Sequence, residues 1–424
     1  MSSMNRRQFV KLAGGAVLAV GALPTIGHGK TKARVIVIGG GYGGGTAAKY
    51  LRLYDPSLQV TLIEKNKEYI SCPLSNEVLA GDRNLDSLTF GYGGLKGHGV
   101  DVIHDEVTEI DPEKKTVATG GGRQLEYDFV VVSPGVGYRW GAIEGYNPSA
   151  VEAMPHAWEA GEQTLRLRRQ IRAMEDGGTV FIVAPPNPFR CPPGPYERAA
   201  QISHYLKANK PKSKVIILDP KYAFSKQKLF QQGWEMHYPG MIEWVGGHQD
   251  GKVIEVDPKR KLLVTEFEEH KAAVANVIPP QKAGPIAEKT GLTDDSGWCP
   301  VDPRSFESTI HSDVHVIGDS CIAGAMPKSG YAANSQAKVL AAAIAAKASG
   351  KRLPEPSYVN TCYSLITPDH GISVAAVYSI QDGEISGVEG AGGLSPLEAS
   401  AEQRKEEALY AHSWYRNVTA DIFT

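Results

Sequence analysis

Val35-Ile36-Val37-Ile38-Gly39-Gly40-Gly41-Tyr42-Gly43-Gly44-Gly45-Thr46-Ala47-Ala48 decides how this chain folds. Four β-branched residues predict a strand. They run into a G-x-G-x-x-G made by Gly39, Gly41 and Gly44, and a helical pattern continues through Tyr50 and Leu51. A second apolar strand, Val60 to Ile63, ends on Glu64, about 20 residues past the glycines, as a dinucleotide-binding βαβ unit requires. Gly39 permits the tight turn, Gly41 lets backbone approach a pyrophosphate, and Gly44 lets the helix pack on the strand. The helix N-terminus faces the phosphates. Glu64 accepts hydrogen bonds from the adenosine ribose hydroxyls.

The whole chain of 424 residues has room for two to three domains. A formal charge of −2, with no block of Lys and Arg, predicts no nucleic-acid partner. Five cysteines are too few for a disulfide scaffold, lack zinc spacing and include no C-x-x-C-H, so the chain brings no c-type haem of its own. His248 and His270 stand isolated, and no metal site is expected. Asn5-Arg6-Arg7-Gln8-Phe9-Val10-Lys11 resembles a twin-arginine export signal, and the mildly apolar run Leu12 to Leu23 follows it. That run is too short for a bilayer core of ~30 Å. The expectation is a periplasmic protein with no membrane-spanning segment in its mature part.

Farther along, Val100 to His104 and Thr116 to Thr119 read as short strands, and Tyr127 to Gly135 as a buried strand entering a turn. The last resembles the segment closing the first half of the FAD domain in flavin disulfide-reductase-like proteins. In that class a C-x-x-x-x-C redox pair lies near Lys65–Glu77. Here Cys72 is alone, so that chemistry is not available at this place.

The pattern restarts near Ala150. Ala157 to Met174 reads as a helix, and Gly177 to Ala184 and Lys214 to Asp219 read as strands. Where a second dinucleotide fold would place glycines for NAD(P)H, the chain carries Ala184-Pro185-Pro186-Asn187-Pro188-Phe189-Arg190-Cys191-Pro192-Pro193-Gly194-Pro195. Proline removes backbone donors and fixes φ, so this loop cannot wrap a pyrophosphate. Pro195 opens a helix. Cys191 near that helix N-terminus is expected to favour its thiolate, and Glu197 in the first turn is a candidate proton acceptor.

Phe224 to Trp244 and Val253 to Phe267 read as strands and loops, and Ala275 to Gln281 as the return to the first domain. Cys299 reads as a packed, inert thiol. Val314 to Asp319, a β-branched strand ending in Gly-Asp, is a second mark of FAD binding, with Asp319 on the ribityl chain. Met326-Pro327-Lys328-Ser329-Gly330-Tyr331-Ala332 leads into an Ala-rich helix reaching about Ala348. Its N-terminus points at the flavin pyrimidine, where partial positive charge stabilises an anionic reduced ring. Two strands, Ile372 to Tyr378 and Ile385 to Val388, join through Asp382-Gly383 as a hairpin. Ser395-Pro396-Leu397-Glu398 is expected to start a last helix, with Glu402 to Glu407 as a solvated charged face.

Tyr69–Glu77 around Cys72, Phe189–Ala199 around Cys191, Met326–Gln336, Asn360–Ser364 around Cys362, and Ser413–Tyr415 together resemble the flavoprotein subunit of flavocytochrome c sulfide dehydrogenase. The resemblance covers essentially all of the chain after the export signal. It implies an α/β fold of two Rossmann-like dinucleotide-binding units, glutathione-reductase-like, with a small α+β C-terminal domain. The expected division is a signal over 1–30, a discontinuous FAD domain over 31–150 and 268–354, a second Rossmann-like domain without an NAD site over 151–267, and a flavin-covering domain over 355–424. It further implies FAD joined to Cys72 as an 8α-S-cysteinyl thioether, a redox disulfide between Cys191 and Cys362 beside the isoalloxazine, Glu197 near that disulfide, and Trp414 near the flavin. Cys321, directly after Gly318-Asp319-Ser320, departs from the pattern expected there, and its pairing with Cys299 is left open.

The implied reaction is attack of hydrosulfide on the disulfide, reduction of FAD, and electron delivery to a c-type cytochrome subunit. Three rivals stand beside it. A sulfide:quinone oxidoreductase would bring an amphipathic C-terminal membrane surface. An NADH-dependent disulfide reductase is disfavoured by the proline loop. A redox-silent FAD-binding protein would leave its flavin unbleached by sulfide.

Overall fold

The computed structural model describes residues 33–424 apart from Pro354. The twin-arginine motif and the apolar run after it lie outside the described residues.

The opening βαβ unit lies at the centre of a five-stranded parallel sheet, in the order Val314–Val316, Phe129–Val132, Arg34–Ile38, Gln59–Ile63, Asp101–Ile103. Val35 to Ile38 pair with Val60 to Ile63 on one side and with Phe129 to Val132 on the other. A parallel strand covered on both faces needs a continuous apolar run, and Val35 to Ile38 and Phe129–Val132 at the middle of the sheet supply one. The helix Tyr42–Tyr54 packs on this sheet and on the Ala-rich helix Gly330–Ala348.

A second parallel sheet has the order Ile242–Val245, Lys214–Leu218, Thr179–Val183, Val274–Val277. Its unit repeats the first: strand Thr179–Val183, helix Gly194–Asn209, strand Lys214–Leu218 and then an acid, Asp219. Unlike Glu64, Asp219 is fully enclosed. It accepts hydrogen bonds from Tyr196 Oη at 2.6 Å and Trp244 Nε1 at 3.0 Å, and pairs with Lys221 Nζ at 2.6 Å. Lys221 Nζ also donates to the Pro185 carbonyl at 2.6 Å, which pins the proline loop.

Two expectations need correction here. Phe224 to Trp244 contains a helix, Gln227–His237. Leu229, Phe230, Gly233 and Trp234 bury one helical face among Tyr196 and Phe224, and that tertiary packing outweighs the aromatic, strand-like composition. Val274 to Val277 pair with Val180 to Val183, so the return to the first domain comes after Val277 and not at residue 268. The chain then crosses as Gln281–Ala283, antiparallel to Val136–Tyr138.

The C-terminal part is a three-stranded antiparallel sheet, Tyr358–Thr367, His370–Gln381 and Glu384–Leu394. Asp382 and Gly383, at φ +51° and +85°, make the two-residue hairpin turn. The last helix spans Ala401–Phe423 and is capped by Ser400, not by Ser395. Ser400 and Gln403 satisfy each other's backbone N–H groups reciprocally, which Ser395 and Glu398 do not do. Within the stretch expected to be solvated, Arg404 is 4% exposed: it turns back to the Pro396 carbonyl at 2.6 Å and pairs with Glu407. The helix ends against the first unit, where Asp421 bonds Tyr50 Oη at 2.7 Å and pairs with Lys338 at 2.8 Å. Among the described residues no helix is long and apolar enough to cross a membrane.

Candidate cofactor and thiol site

The glycine turn has the geometry a bound dinucleotide demands. Gly39 adopts φ +93°, which side chains rarely tolerate, and a Cβ on it would lie 2.4 Å from the Ser133 carbonyl oxygen. A Cβ on Gly44 would come within 1.8 Å of the Gly39 carbonyl oxygen, so the helix can approach the strand only with glycine there. Gly41 precedes the helix Tyr42–Tyr54, which has no side-chain cap, leaving its first N–H groups to an anion. Glu64 Oε2 accepts the Gly40 N–H at 2.7 Å, and Oε1 accepts from the Asn66 backbone and side-chain nitrogens at 2.9 and 3.0 Å. The acid is thereby fixed at the rim of the turn.

Asp319 follows Val314–Val316, the neighbour of Phe129–Val132 in the first sheet. Its Oδ1 is buried without a hydrogen-bond partner among the described residues, and Oδ2 lies 3.8 Å from the Arg190 guanidinium. Burial raises its carboxyl above the ordinary aspartate range. A buried, unsatisfied oxygen costs about 1–3 kcal/mol unless something donates to it, and a ribityl hydroxyl suits that need. Lys328 Nζ donates to the Asp319 and Cys321 carbonyls at 2.8 and 2.9 Å and lies over the Trp298 ring, holding the Asp319 loop. Ser329 caps the helix Gly330–Ala348 by accepting the Ala332 N–H at 3.1 Å. Tyr331 in its first turn touches Trp414, whose buried Nε1 has no partner among the described residues. These features fit a flavin dinucleotide.

Cys72 follows the short strand Glu68–Ile70, and its sulfur lies 3.7 Å from the Trp158 carbonyl oxygen. The Arg190 guanidinium donates to that same oxygen while facing the Asp319 carboxylate at 3.8 Å, so it stands between Cys72 and Asp319.

Cys191 and Cys362 come from remote parts of the chain into one cluster. The Cys191 N–H donates to the Lys328 carbonyl at 2.8 Å, binding the proline loop to the segment before the Ala-rich helix. Cys191 holds φ +59°, a conformation costly for a side-chain-bearing residue and found where surrounding structure enforces it. Its electrostatic neighbours are Cys362, Glu197, Lys226 and Arg190. Cys362 lies on the strand Tyr358–Thr367, where alternation puts Asn360, Cys362 and Ser364 on one face. Asn360 Oδ1 accepts from Ser329 Oγ at 2.6 Å, and Ser364 Oγ accepts from Lys226 Nζ at 2.8 Å. Cys362 is thus held between the cap of the Ala-rich helix and a buried lysine. Both cysteines stand as partly accessible, separate thiols.

Glu197 bridges two elements: Oε1 accepts the Leu365 N–H at 2.9 Å and Oε2 accepts from Asn76 Nδ2 at 2.8 Å. Burial raises its carboxyl above the ordinary glutamate range, which strengthens its hold on a proton. The expected lowering of the Cys191 thiol is corrected. Burial pushes it well up, with Cys362 and Glu197 adding to the rise, because desolvation outweighs the helix terminus in an enclosed site. Cys299 and Cys321 face each other across a two-residue parallel bridge as buried, separate thiols, each pushed up to about 12 by burial. Cys321 also lines a cavity of about 660 Å³ with Phe189, Pro192, Trp298 and Lys328.

Sequence reading missed the cations of this site. Arg198 donates to Asn76 Oδ1, the His156 and Ala157 carbonyls and Asn276 Oδ1 at 2.7–3.0 Å, and stacks 4.8 Å from the Trp158 ring. Burial pushes it down to about 10. Arg190 and Lys226 were equally unmarked, since each belongs to the site only through partners distant in the chain. The one local signal was Arg198, a charge on the buried face of its helix.

Three family models match. That for the central domain of the sulfide dehydrogenase [flavocytochrome c] flavoprotein chain covers residues 164–279. That for the flavin-binding part of flavocytochrome c sulphide dehydrogenase covers residues 354–423. That for pyridine nucleotide-disulphide oxidoreductases covers residues 33–174. The mouse mitochondrial sulfide:quinone oxidoreductase is 22% identical over 68% of this chain and 66% of its own length. The Chlorobaculum thiosulfatiphilum sulfide dehydrogenase [flavocytochrome c] flavoprotein chain is 56% identical over 45 residues, which are 11% of this chain and 94% of that short sequence. The structure of the Aquifex aeolicus sulfide:quinone oxidoreductase superposes with a TM-score of 0.71 at 18% identity, over 92% of both chains. Putidaredoxin reductase, in its covalent complex with putidaredoxin, superposes at 0.63 with 17% identity, over 89% of this chain and 93% of that one. These establish the two-unit dinucleotide-binding flavoprotein fold. With the central and flavin-binding models both matched and 56% identity to a curated member, the chain belongs to the family of flavocytochrome c sulfide dehydrogenase flavoprotein chains.

Proposed function

We propose that this flavoprotein oxidises sulfide at a Cys191–Cys362 disulfide beside FAD and passes the electrons to a c-type cytochrome subunit. The observation that carries the reading is the convergence of Cys191, Cys362 and Glu197 next to the capped N-terminus of the helix Gly330–Ala348. Gly39, Gly41 and Gly44 would hold the phosphates of FAD, Glu64 the ribose and Asp319 the ribityl chain, while Lys328, Ser329 and Gly330 would present a helix N-terminus to the ring. Trp414 would cover the ring, and Cys72 would supply the thioether. FAD held there would serve as a two-electron acceptor for the reduced sulfur pair.

The chain's own residues do the rest. Hydrogen sulfide gives a proton to Glu197. The resulting hydrosulfide attacks one sulfur of the disulfide, a new S–S bond forms as a persulfide, and the other cysteine leaves as thiolate. The enclosed Asp219, occupied by Tyr196, Trp244 and Lys221, supports a path that does not involve a nicotinamide. Export by the twin-arginine motif to the periplasm belongs to the same proposal, and a covalent flavin is suited to that compartment.

A second reading, delivery to a quinone, draws on the similarity to sulfide:quinone oxidoreductases over most of the chain. Sulfide-dependent turnover in detergent-free solution, followed with a c-type cytochrome and with a soluble quinone, separates the two. Reduction of the cytochrome at the faster rate supports the first, and turnover with quinone alone overturns it.

A further inference from the structure

Lys226 begins the helix Gln227–His237 in a left-handed conformation, φ +60°, and is 5% exposed. Its ammonium donates to the Ser364 hydroxyl at 2.8 Å, and among the described residues no carboxylate forms an ion pair with it. The centre of the Phe230 ring lies 5.7 Å from the ammonium. A buried ammonium satisfied by one neutral hydroxyl is a costly arrangement, since buried charges are normally paired. The groups around it are Cys362, Glu197, Cys191 and Glu407. Ser364 shares a strand face with Cys362, two residues away, so the hydroxyl that holds the ammonium lies on the face that carries the sulfur.

We infer that Lys226 forms a buried anion-binding site at the Cys191–Cys362 pair, taking a small sulfur anion first as incoming hydrosulfide and then as the thiolate that attack releases. The inference rests on the sulfide-oxidising function proposed above. In that step the negative charge moves from hydrosulfide onto a cysteine sulfur as one S–S bond forms and another breaks. The total charge is constant, so one fixed cation can serve both ends of the displacement. Glu197 takes the proton that hydrogen sulfide must lose, and Lys226 holds the anion that remains. The two groups therefore have complementary tasks on opposite charges.

The test compares the wild-type holoenzyme with Lys226→Met and Lys226→Arg by anaerobic rapid mixing with sulfide, following flavin bleaching, with dithionite as a sulfur-independent reductant. Lys226→Met is expected to lower the second-order rate with sulfide by about tenfold or more, the loss of one hydrogen bond to a charged group. Lys226→Arg recovers most of that rate, and dithionite bleaches all three alike. Thermal stability of Lys226→Met should equal or exceed that of wild type, because a buried, poorly paired charge has been removed. Wild-type rates with sulfide in Lys226→Met, or a variant that loses stability and fails with dithionite too, would overturn the anion site and leave a packing role. Wild-type enzyme that sulfide does not bleach would instead overturn the underlying function, whatever the variants do.

Discussion

Glu197 accepts a hydrogen bond from the Leu365 backbone N–H at 2.9 Å, which joins the helix that follows Cys191 to the strand that carries Cys362. The carboxylate is thereby fixed relative to both sulfurs, and its proton affinity is set by the same enclosure that holds them.

Glu197→Gln is expected to slow sulfide-dependent flavin reduction by about 10²-fold or more, the usual worth of a positioned proton acceptor. Wild-type activity should rise with pH through a value above the ordinary glutamate range, and the variant should lack that limb. The same carboxyl affects stability. Its folded-state affinity for a proton is raised, so the native state binds more protons than the unfolded one between the two pKa values. That contribution is full below the ordinary glutamate pKa and is lost as pH rises through the raised one. Thermal unfolding across that window should show a decline with pH that Glu197→Gln reduces.

Cys72→Ser tests the attachment of the flavin. Acid precipitation of wild type should leave the yellow colour with the peptide, at a mass that includes Cys72. The variant should release its flavin to the supernatant.

The first unit was fully legible, because strand, glycine turn, helix and acid are contiguous and each has its own sequence signal. Gly39 and Gly44 stand where the turn and the helix approach too closely for a side chain, and Glu64 accepts the Gly40 N–H of that turn. The hairpin at Asp382-Gly383 was legible for the same reason. What escaped was set by tertiary partners. Gln227–His237 is a helix because Trp234 and Phe230 pack on Tyr196 and Phe224. Arg190, Arg198 and Lys226 gain their places from Trp158, Asn76 and Ser364, all far away in sequence. The cap at Ser400 was missed although its S-x-x-Q pattern was present, since Ser395-Pro396 five residues earlier offered a competing start. The proximity of Cys191 and Cys362 was available only through family resemblance.

Gly44→Ala should be severe for its size. The added methyl meets the Gly39 carbonyl oxygen at 1.8 Å, so helix and turn must separate. Overpacking of this kind typically costs about 1–3 kcal/mol. Purified Gly44→Ala is expected to carry little flavin and to unfold at a lower temperature.

NADH should leave the flavin oxidised under anaerobic conditions. Asp219, at the place where a second dinucleotide would seek its ribose partner, is engaged by Tyr196, Trp244 and Lys221. Bleaching by NADH at rates comparable to sulfide would show a nicotinamide path.

The central claim is that Cys191 and Cys362 form one redox pair serving the flavin. Peptide mapping of the oxidised holoprotein without reductant, after thiol alkylation, addresses it most directly. The expected result is a linked pair of peptides containing Cys191 and Cys362, converted to separate peptides after anaerobic sulfide, with Cys191 or Cys362 carrying one added sulfur. Both cysteines alkylated individually while the flavin is fully oxidised would contradict the account.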